Sequence, residues 1–342
     1  MANKRMSRSP AKKPAAGIGA GVGLLVTVPL AIAGGWIAYS ALSIDHQVPL
    51  SSAIGAEWLI FYGQTTGRLS AYVDRSAAGR PLVLIHSVNA AASAYEMRPI
   101  FDHYRSHRPV YALDLPGFGF SDRTGRVYSP QLYQDAILDL LTSQVGEPAD
   151  VIALSLGCEF AARAALARPD LFHSLALISP SGFNRRDAVR SSQLASQRGS
   201  SDTIYRLLSF PLLGRALYDL IATRRSIEFF LKQSFVGPIA PGLVDYDYAT
   251  AHQPGAHYAP LYFVSGQLFT REVRQEVYER LTLPVLVIYD RDAFSRFDTL
   301  PEVADRHANW RAARISPTLG LPHFEQLADT AQALDAFWKD LG

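Results

Sequence analysis

Ser155 is the residue best placed for chemistry, because it follows a predicted strand and precedes a predicted helix. The apolar run Val151–Leu154 is typical of a covered strand, and a helical pattern begins at Cys158. Ala153 and Gly157, two residues to either side of the serine, are small enough to allow a sharp turn. A serine on such a turn projects its hydroxyl beside the positive end of the helix dipole. The pattern predicts a nucleophile, and the alternative is an ordinary N-cap serine.

Two further segments accompany this serine. Residues 82–89 read LVLIHSVN, and residues 114–122 read DLPGFGFSD. Together with the turn around Ser155, these segments resemble the α/β-hydrolase fold family, specifically its cap-bearing branch of ester and related hydrolases. The resemblance covers residues 56–184 and 281–342, and the D-x-P-G-x-G-x-S stretch is its most specific element.

The resemblance implies an oxyanion hole made of two backbone N–H groups. One belongs to the residue after the nucleophile, here Leu156, and the other to the loop after the first of these strands, where the matching position is Val88. Ser87 stands where the family usually has glycine. His86 lies outside the family's triad order, so we interpret it as a structural histidine that braces the loop.

The family's triad follows the chain order serine, acid, histidine. The segment 320–325, GLPHFE, resembles the loop that presents the base, which implies that His323 is the general base. After the apolar run 284–289 the family often shows Gly-x-x-Asp. This match implies that Asp292 is the acid, with a tyrosine where the glycine is usual, and Asp290 is the alternative.

Each residue of a Ser–His–Asp triad has a distinct chemical role. The imidazole removes the serine proton, the carboxylate orients the imidazole, and the two N–H groups hold the developing oxyanion. Haloalkane dehalogenases and epoxide hydrolases of the family carry aspartate in the nucleophile's position, so Ser155 disfavours those reactions. No cofactor or metal is expected. The one cysteine, Cys158, is interpreted as a buried packing residue, and Gly117-x-Gly119 lacks the third glycine of a dinucleotide-binding motif.

Apolar runs alternate with helical patterns along most of the chain. The predicted strands are residues 58–62, 69–73, 81–86, 110–114, 151–154, 175–178 and 284–289, and the predicted helices are residues 93–106, 130–145, 157–168 and 325–341. This alternation predicts the α/β fold class, with a mainly parallel central sheet and helices on both faces. Ser155 and Asp292 each follow the end of a predicted strand.

The interval 185–280 breaks the alternation. It is helix-like and rich in aromatic residues, and we predict a helical cap inserted between a first core part, 44–184, and a second, 281–342. Apolar faces at helical spacing occur in residues 205–213 and 227–231. In the capped branch of the family an insertion at this place covers the catalytic serine. The alternative is that these faces only pack onto the core.

A membrane segment is predicted at the N-terminus. No charged residue occurs between Pro14 and Ile44, and about 20 apolar residues span a bilayer as helix. We predict a basic cytoplasmic tip at 1–14 and an uncleaved transmembrane signal anchor at 15–43. Because basic flanks stay in the cytoplasm, the catalytic domain should lie on the periplasmic or extracellular side. The alternatives are a signal peptide cleaved near Ala33 and a buried core helix.

Composition limits the functional classes. The 342 residues are 48% hydrophobic and 19% charged, which excludes a disordered chain. The chain has 33 basic and 31 acidic residues, and this balance is not that of a nucleic-acid binder. The leading hypothesis is a membrane-anchored serine hydrolase that acts on an ester or similar acyl bond of a largely apolar small molecule. The alternatives are a C–C bond hydrolase, lyase or perhydrolase on the same triad, and a non-catalytic binding protein.

Overall fold

A central sheet accounts for the apolar runs of the sequence. The computed structural model describes residues 34–184, 205–206, 210 and 213–342. Its strands are β1 (Glu57–Gly63), β2 (Gly67–Asp74), β3 (Leu82–Ile85), β4 (Val110–Asp114), β5 (Ala149–Leu154), β6 (Phe172–Ile178), β7 (Val285–Arg291) and β8 (Trp310–Leu319). They lie in the order β1-β2-β4-β3-β5-β6-β7-β8. Strands β1 and β2, and β2 and β4, pair antiparallel, and the other pairs are parallel. The predicted mainly parallel sheet is confirmed.

Helices cover both faces of this sheet, as predicted. Those of the core are α1 (Arg98–Tyr104), α2 (Pro130–Leu140), α3 (Gly157–Ala167), α9 (Leu300–Arg306), α10 (Pro322–Glu325) and α11 (Leu327–Lys339). Val83 and Ile85 of β3 pack in one apolar cluster with residues of α2 and α3. Leu82 and Leu84 point the other way, into a cluster with residues of α1 and α11. Because successive strand residues face opposite sides, a strand covered on both faces must be apolar throughout.

The described residues between β6 and β7 contribute helices. These are α4 (Gly214–Ile221), α5 (Arg224–Lys232), α6 (Leu243–Ala251), α7 (Tyr258–Val264) and α8 (Val273–Glu276). No strand occurs over residues 213–284, all of which are described. The apolar stretch 205–213 lies mostly outside the described residues. The cap and its bounds, 185–280, stay a prediction.

Strand β8 is absent from the sequence prediction. Its sequence, WRAARISPTL, carries Arg311, Arg314 and Pro317 where an apolar run would be needed for recognition. The strand lies at the edge of the sheet and pairs only with β7, and these three residues are exposed. Charged residues and proline are common on edge strands, because such residues block pairing with a further strand. The edge position therefore explains why the pattern was missed.

The N-terminal prediction falls largely outside the described residues. The chain divides into two compact units, Met1–Ile44 and Asp45–Gly342. In the first unit residues 34–43 are helical, whereas all of the basic tip and most of the predicted anchor are not described. Among the described residues no helix is both long enough and apolar enough to cross a bilayer. The anchor at 15–43 therefore stays a prediction.

Candidate active site

Ser155 lies on a strained turn between β5 and α3. Its φ angle is +52°, in the left-handed region that costs a non-glycine residue roughly 1–2 kcal/mol. The Ser155 N–H donates to the carbonyl of Ile178 at the end of β6 (2.9 Å), and its own carbonyl accepts from the N–H of Cys158 (3.0 Å). These bonds hold the strained conformation from both sides, and they leave the side chain partly exposed at the carboxyl edge of the sheet.

Gly157 allows this turn to lie against the end of β3. A Cβ atom at Gly157 would stand 2.3 Å from the carbonyl oxygen of His86, which is closer than any real contact of that kind. The first turn of α3 can therefore approach the loop after β3 only because residue 157 has no side chain. Cys158, the next residue, is fully buried, as expected of a packing residue.

His86 braces the loop in the way the sequence suggested. Its Nε2 accepts a hydrogen bond from the N–H of Leu115 (2.9 Å), and its Nδ1 donates to the carbonyl of Ser87 (2.5 Å). Burial lowers the pKa of His86 to about 4. The ring is therefore neutral at pH 7 and joins the chain after β3 to the chain after β4.

Val88 and Leu156 carry the two N–H groups that the family resemblance assigns to the oxyanion hole. Both residues are buried. Within the described part of the chain, neither N–H donates a hydrogen bond to a protein acceptor. Two such donors, one at the start of α3 and one in the loop packed against it through Gly157, are what a developing oxyanion requires.

His323 lies in α10 and is fully buried. Its Nε2 is 2.7 Å from the backbone carbonyl of Glu96. Because a carbonyl only accepts, Nε2 carries the proton in this arrangement. The other ring nitrogen, Nδ1, is buried and has no hydrogen-bond partner among the described residues. Burial lowers the pKa of His323 to about 4, so the ring is neutral at pH 7.

Asp292 lies just beyond β7, close to the loop that carries the histidine. Its Oδ1 accepts the N–H groups of Phe294 (2.6 Å) and Ser295 (3.1 Å). A Cβ atom at Gly320 would stand 3.0 Å from Oδ2, so the carboxylate packs against the chain three residues before His323. Burial raises the pKa of Asp292.

Asp290, the alternative acid, forms its hydrogen bonds with residues of β8. Its Oδ1 accepts from Nε of Arg314 (2.8 Å), and its Oδ2 accepts from the N–H of Thr318 (2.9 Å). Burial alone would raise the pKa of Asp290, but these two donors hold it below its usual range. Both carboxylate oxygens thus belong to the pairing of β7 with β8.

The structure brings the predicted residues to one edge of the sheet without joining them into a hydrogen-bonded triad. Across the described residues, no hydrogen bond links His323 to Ser155, Asp292 or Asp290. The triad assignment therefore stays a prediction. No group of three or more histidine, cysteine and acidic side chains suited to a metal ion occurs in the described ranges.

Two glutamates in this region were missed by sequence reasoning. The Glu96 carboxylate binds the loop after β3, and its carbonyl accepts from His323. Glu325 accepts from the N–H of Leu319 through Oε2 and from two N–H groups at 236–237 through Oε1. The signal available for Glu96 was a lone acid among apolar neighbours in AYEM, residues 94–97, all four of which are buried.

The structure explains why the family's most specific motif, at 114–122, carries an aspartate and a glycine. Asp114, at the end of β4, is buried, and its carboxylate accepts from the N–H groups of Ala94 (3.0 Å) and Phe120 (2.9 Å). A Cβ atom at Gly119, whose φ is +49°, would stand 1.9 Å from Cγ of Asp114. The motif thus needs its glycine at 119, and it ties the turn at 94–97 to the sheet.

Comparison with known proteins identifies relatives among hydrolases. The sequence model described as "Alpha/beta hydrolase family" matches residues 82–333. An uncharacterized hydrolase, YugF, from Bacillus subtilis is 29% identical over 106 residues, which is 31% of this chain and 38% of that protein. The pimeloyl-[acyl-carrier protein] methyl ester esterase of Aeromonas salmonicida is 28% identical over 229 residues, 65% of this chain and 81% of the esterase. The alignments with the first two curated relatives span less than half of their lengths, 38% and 47%.

Solved structures share the fold at low sequence identity. A membrane phospholipase A described as a bacterial virulence factor superposes with a TM-score of 0.65 and 17% identity, covering 94% of each chain. A meta-cleavage product hydrolase from Pseudomonas fluorescens superposes with a TM-score of 0.62 and 14% identity, covering 83% of this chain and 98% of that one. At these identities the superpositions establish a common fold.

Proposed function

The chain belongs to the alpha/beta hydrolase family, and we propose that it is a serine hydrolase that cleaves a carboxylic ester or similar acyl bond of a largely apolar small molecule. In this proposal Ser155 is the nucleophile, His323 the general base and Asp292 the acid. The N–H groups of Val88 and Leu156 form the oxyanion hole. The observation that carries the proposal is the strained Ser155 turn, held by backbone hydrogen bonds beside two N–H groups that have no acceptor in the described part of the chain.

The proposed reaction proceeds through an acyl-enzyme. Ser155 Oγ attacks the ester carbonyl as His323 takes its proton, and the carbonyl oxygen becomes an oxyanion facing the two N–H groups. The C–O bond to the alcohol then breaks, and the alcohol leaves with the proton from His323. Water attacks the acyl-serine by the same route, which releases the carboxylic acid and restores Ser155.

In this proposal the hydrogen bonds of His323 must change before catalysis. The buried Nδ1, which has no partner among the described residues, is the atom that Asp292 would satisfy, and Gly320 leaves room for that carboxylate beside the histidine loop. Nε2 must exchange the Glu96 carbonyl for Ser155 Oγ, with the proton moving to Nδ1. A neutral imidazole with Nδ1–H facing the acid is the tautomer that a general base needs.

In our proposal the helices between β6 and β7 form a lid over Ser155. Their exposed aromatic residues favour an apolar substrate. On α5 the side chains of Phe229 and Phe230 are 61% and 47% exposed, so they do not serve the packing of the core. The Phe230 ring lies 6.4 Å from that of Phe294, two residues after Asp292. An exposed aromatic pair beside the loop of the proposed acid suits an acyl chain or aromatic group of a substrate.

We also propose that residues 15–43 anchor the enzyme in a membrane. Five basic residues precede the uncharged run, at positions 4, 5, 8, 12 and 13, whereas Asp45 follows it. This charge asymmetry favours a cytoplasmic N-terminus and a catalytic domain on the periplasmic or extracellular side.

Labelling with a fluorophosphonate tests the proposed function. The probe forms a covalent bond only with an activated serine, so the wild type should be labelled and Ser155→Ala should not. The C–C hydrolase alternative would be favoured if the wild type is labelled, hydrolyses p-nitrophenyl esters slowly and cleaves a vinylogous diketone fast. Absence of labelling in the folded wild type would support the non-catalytic binding protein and overturn the proposal.

A further inference from the structure

The Glu96 carboxylate is buried against the loop at 86–89, which carries the N–H of Val88 and is called the oxyanion loop below. Its Oε2 accepts from the N–H of Ser87 (2.8 Å). Its Oε1 accepts from the Ser87 hydroxyl (2.9 Å) and from Nδ2 of Asn89 (3.0 Å). The same Asn89 amide also donates to the Ser87 hydroxyl (2.9 Å), which closes a triangle of hydrogen bonds. The residues on both sides of Val88 are therefore held by one carboxylate.

The charge of this carboxylate is not paired with a cation of the described residues. Glu96 is only 8% exposed, and among the described residues no lysine, arginine or histidine forms an ion pair with it. Burial raises the pKa of Glu96, and the donors on Ser87 and Asn89 lower it in part. Burial, and after it the charge of Glu96, raise the pKa of Asp247 of α6, which favours the neutral form of this neighbour. A buried anion without a cation is costly, so its loop donors must supply the compensation.

The backbone of Glu96 contacts the proposed base. Its carbonyl accepts from His323 Nε2 (2.7 Å), although the two residues are 227 positions apart. Glu96 sits in a single turn, Ala94–Met97, whose first N–H is held by Asp114 at the end of β4. A rigid turn therefore places the Glu96 side chain on the oxyanion loop and its carbonyl on the histidine.

We propose that Glu96 is a positioning residue that sets the oxyanion loop and the resting place of the base histidine, an inference that rests on the proposed function. Its carboxylate fixes the loop conformation that presents the N–H of Val88. This arrangement also explains why Ser87 is accommodated where the family usually has glycine, because the extra hydroxyl is bound by Glu96. The Ser87 and Glu96 side chains act as a pair.

Glu96→Gln tests this role, since the amide keeps the shape but replaces one accepting oxygen by an NH2 group, which must face either the N–H of Ser87 or the side-chain amide of Asn89. We expect kcat for a p-nitrophenyl ester to fall about 100-fold, in the range for loss of one oxyanion donor, with KM changed less than about threefold. A trifluoromethyl ketone, which Ser155 converts to an oxyanion adduct, should bind weaker by the same factor as kcat/KM falls. Titration of active sites with the fluorophosphonate corrects each rate for the folded fraction.

Asp150→Asn is the matched control. Asp150 is an equally buried carboxylate with several partners, Arg108, His173 and Ser174, but it lies at the opposite end of β5 from Ser155. Five residue steps along an extended strand, each about 3.3 Å, separate the two by about 16 Å. This variant should lower the melting temperature while kcat per active site and ketone affinity stay within about twofold of the wild type.

The outcomes separate the two proposals. Wild-type protein that neither labels nor hydrolyses esters contradicts the proposed function. An active wild type with unchanged kcat and ketone affinity in Glu96→Gln overturns the inference about Glu96 alone. If Glu96→Gln does not fold, Ser87→Ala and Asn89→Ala decide, because each removes one donor and keeps the carboxylate. Each should lose several-fold in kcat and ketone affinity together, and unchanged values in both overturn the inference.

Discussion

At the scale of single residues, the site combines strain with burial. Ser155 adopts a left-handed backbone that a non-glycine residue rarely takes, and two backbone hydrogen bonds hold it there. Such strain is stable only where the surrounding structure supports it, and it is frequent at functional sites. His323 adds a buried ring whose Nδ1 has no described partner. Both features favour a reactive site over a purely structural one.

Asp290, near the end of β7, and Asp292, just beyond the strand, should respond very differently to substitution. Asp292→Asn should lower kcat/KM for a p-nitrophenyl ester by about 10⁴-fold, as loss of a triad acid does, and Ser155→Ala and His323→Ala should abolish turnover. Asp290→Asn should mainly lower the melting temperature, because it removes the partner of Arg314 and Thr318. A larger loss of activity in Asp290→Asn than in Asp292→Asn would show that the acid is misassigned.

The pH profile should reflect the burial of His323. A general base must be neutral, and burial lowers the pKa of His323 from 6.5 to about 4. The neutral ring is present above that value and is lost as the pH falls through it. We therefore expect kcat/KM to hold from pH 7 to about 5 and to fall near pH 4, with circular dichroism as the control for folding. An acid limb near pH 6.5 would contradict a desolvated base.

At the scale of elements, close approach between segments sets the geometry of the site. The start of α3 contacts the end of β3 at Gly157, and the loop after β4 contacts Asp114 at Gly119. In both places a Cβ atom would stand 2.3 Å or less from another atom, which is too close for a non-bonded contact. The proposed active site therefore depends on the contact of the Ser155 turn with the loop at 86–89.

Gly157→Ala should destabilise the protein and lower its activity. The new methyl group meets the His86 carbonyl at 2.3 Å, and forced overpacking of this kind costs typically 1–3 kcal/mol. The displaced turn would also move the N–H of Leu156. Gly55→Ala is the control, since nothing lies within 4 Å of a Cβ atom there. Urea denaturation and ester turnover give the two readouts, and equal stability of the two variants would refute the contact.

The exposed aromatic residues of α5 should set the preference for acyl length. Each buried CH₂ contributes about 0.8 kcal/mol, roughly fourfold in affinity, so kcat/KM should rise from acetyl towards medium-chain esters. Replacing Phe229 and Phe230 by alanine should flatten this rise. Phe269→Ala, at an exposed aromatic residue between α7 and α8, should leave it unchanged. A profile that peaks at acetyl in both the wild type and the double variant would refute a lid with this role.

At the scale of the whole molecule, charge is distributed unevenly. The numbers of basic and acidic residues nearly balance, 33 against 31, but the five charged residues among the first 13 positions are all basic. A basic tip followed by a long uncharged run is the pattern of an N-terminal anchor with its start in the cytoplasm. The proposed topology assigns the hydrolase unit, Asp45–Gly342, to the opposite side.

A reporter fusion checks this topology. Alkaline phosphatase fused after Gly342 should be active, because it folds only after export, and green fluorescent protein at the same position should remain dark. Replacing the five basic residues before the uncharged run by glutamine should reduce the phosphatase signal, since the orienting charge is lost. Fluorescence of the wild-type fusion, without phosphatase activity, would reverse the assignment.

Local patterns in the sequence determined the strand–turn–helix at Ser155, the order of the main strands and helices, and the structural role of His86. These features depend on side-chain periodicity and on small residues at turns, which a short window of sequence records directly. The family motif at 114–122 likewise occupies one short segment, the last residue of β4 and the loop after it. Among the predicted strands that were found, β3 and β5 are buried along their whole length and are marked by an apolar run, whereas in β1 only Phe61 is buried.

Tertiary structure decided the contacts between residues distant in sequence. The pairing of β8, the binding of Asp290 by Arg314, and the contact of His323 with Glu96 all depend on how separate segments meet. A buried carboxylate such as Glu96 has the same local pattern whether it pairs with a cation or binds a loop. Hydrogen-bond partners are chosen by three-dimensional proximity, and that proximity follows from sheet order and register, which no single segment of the sequence contains.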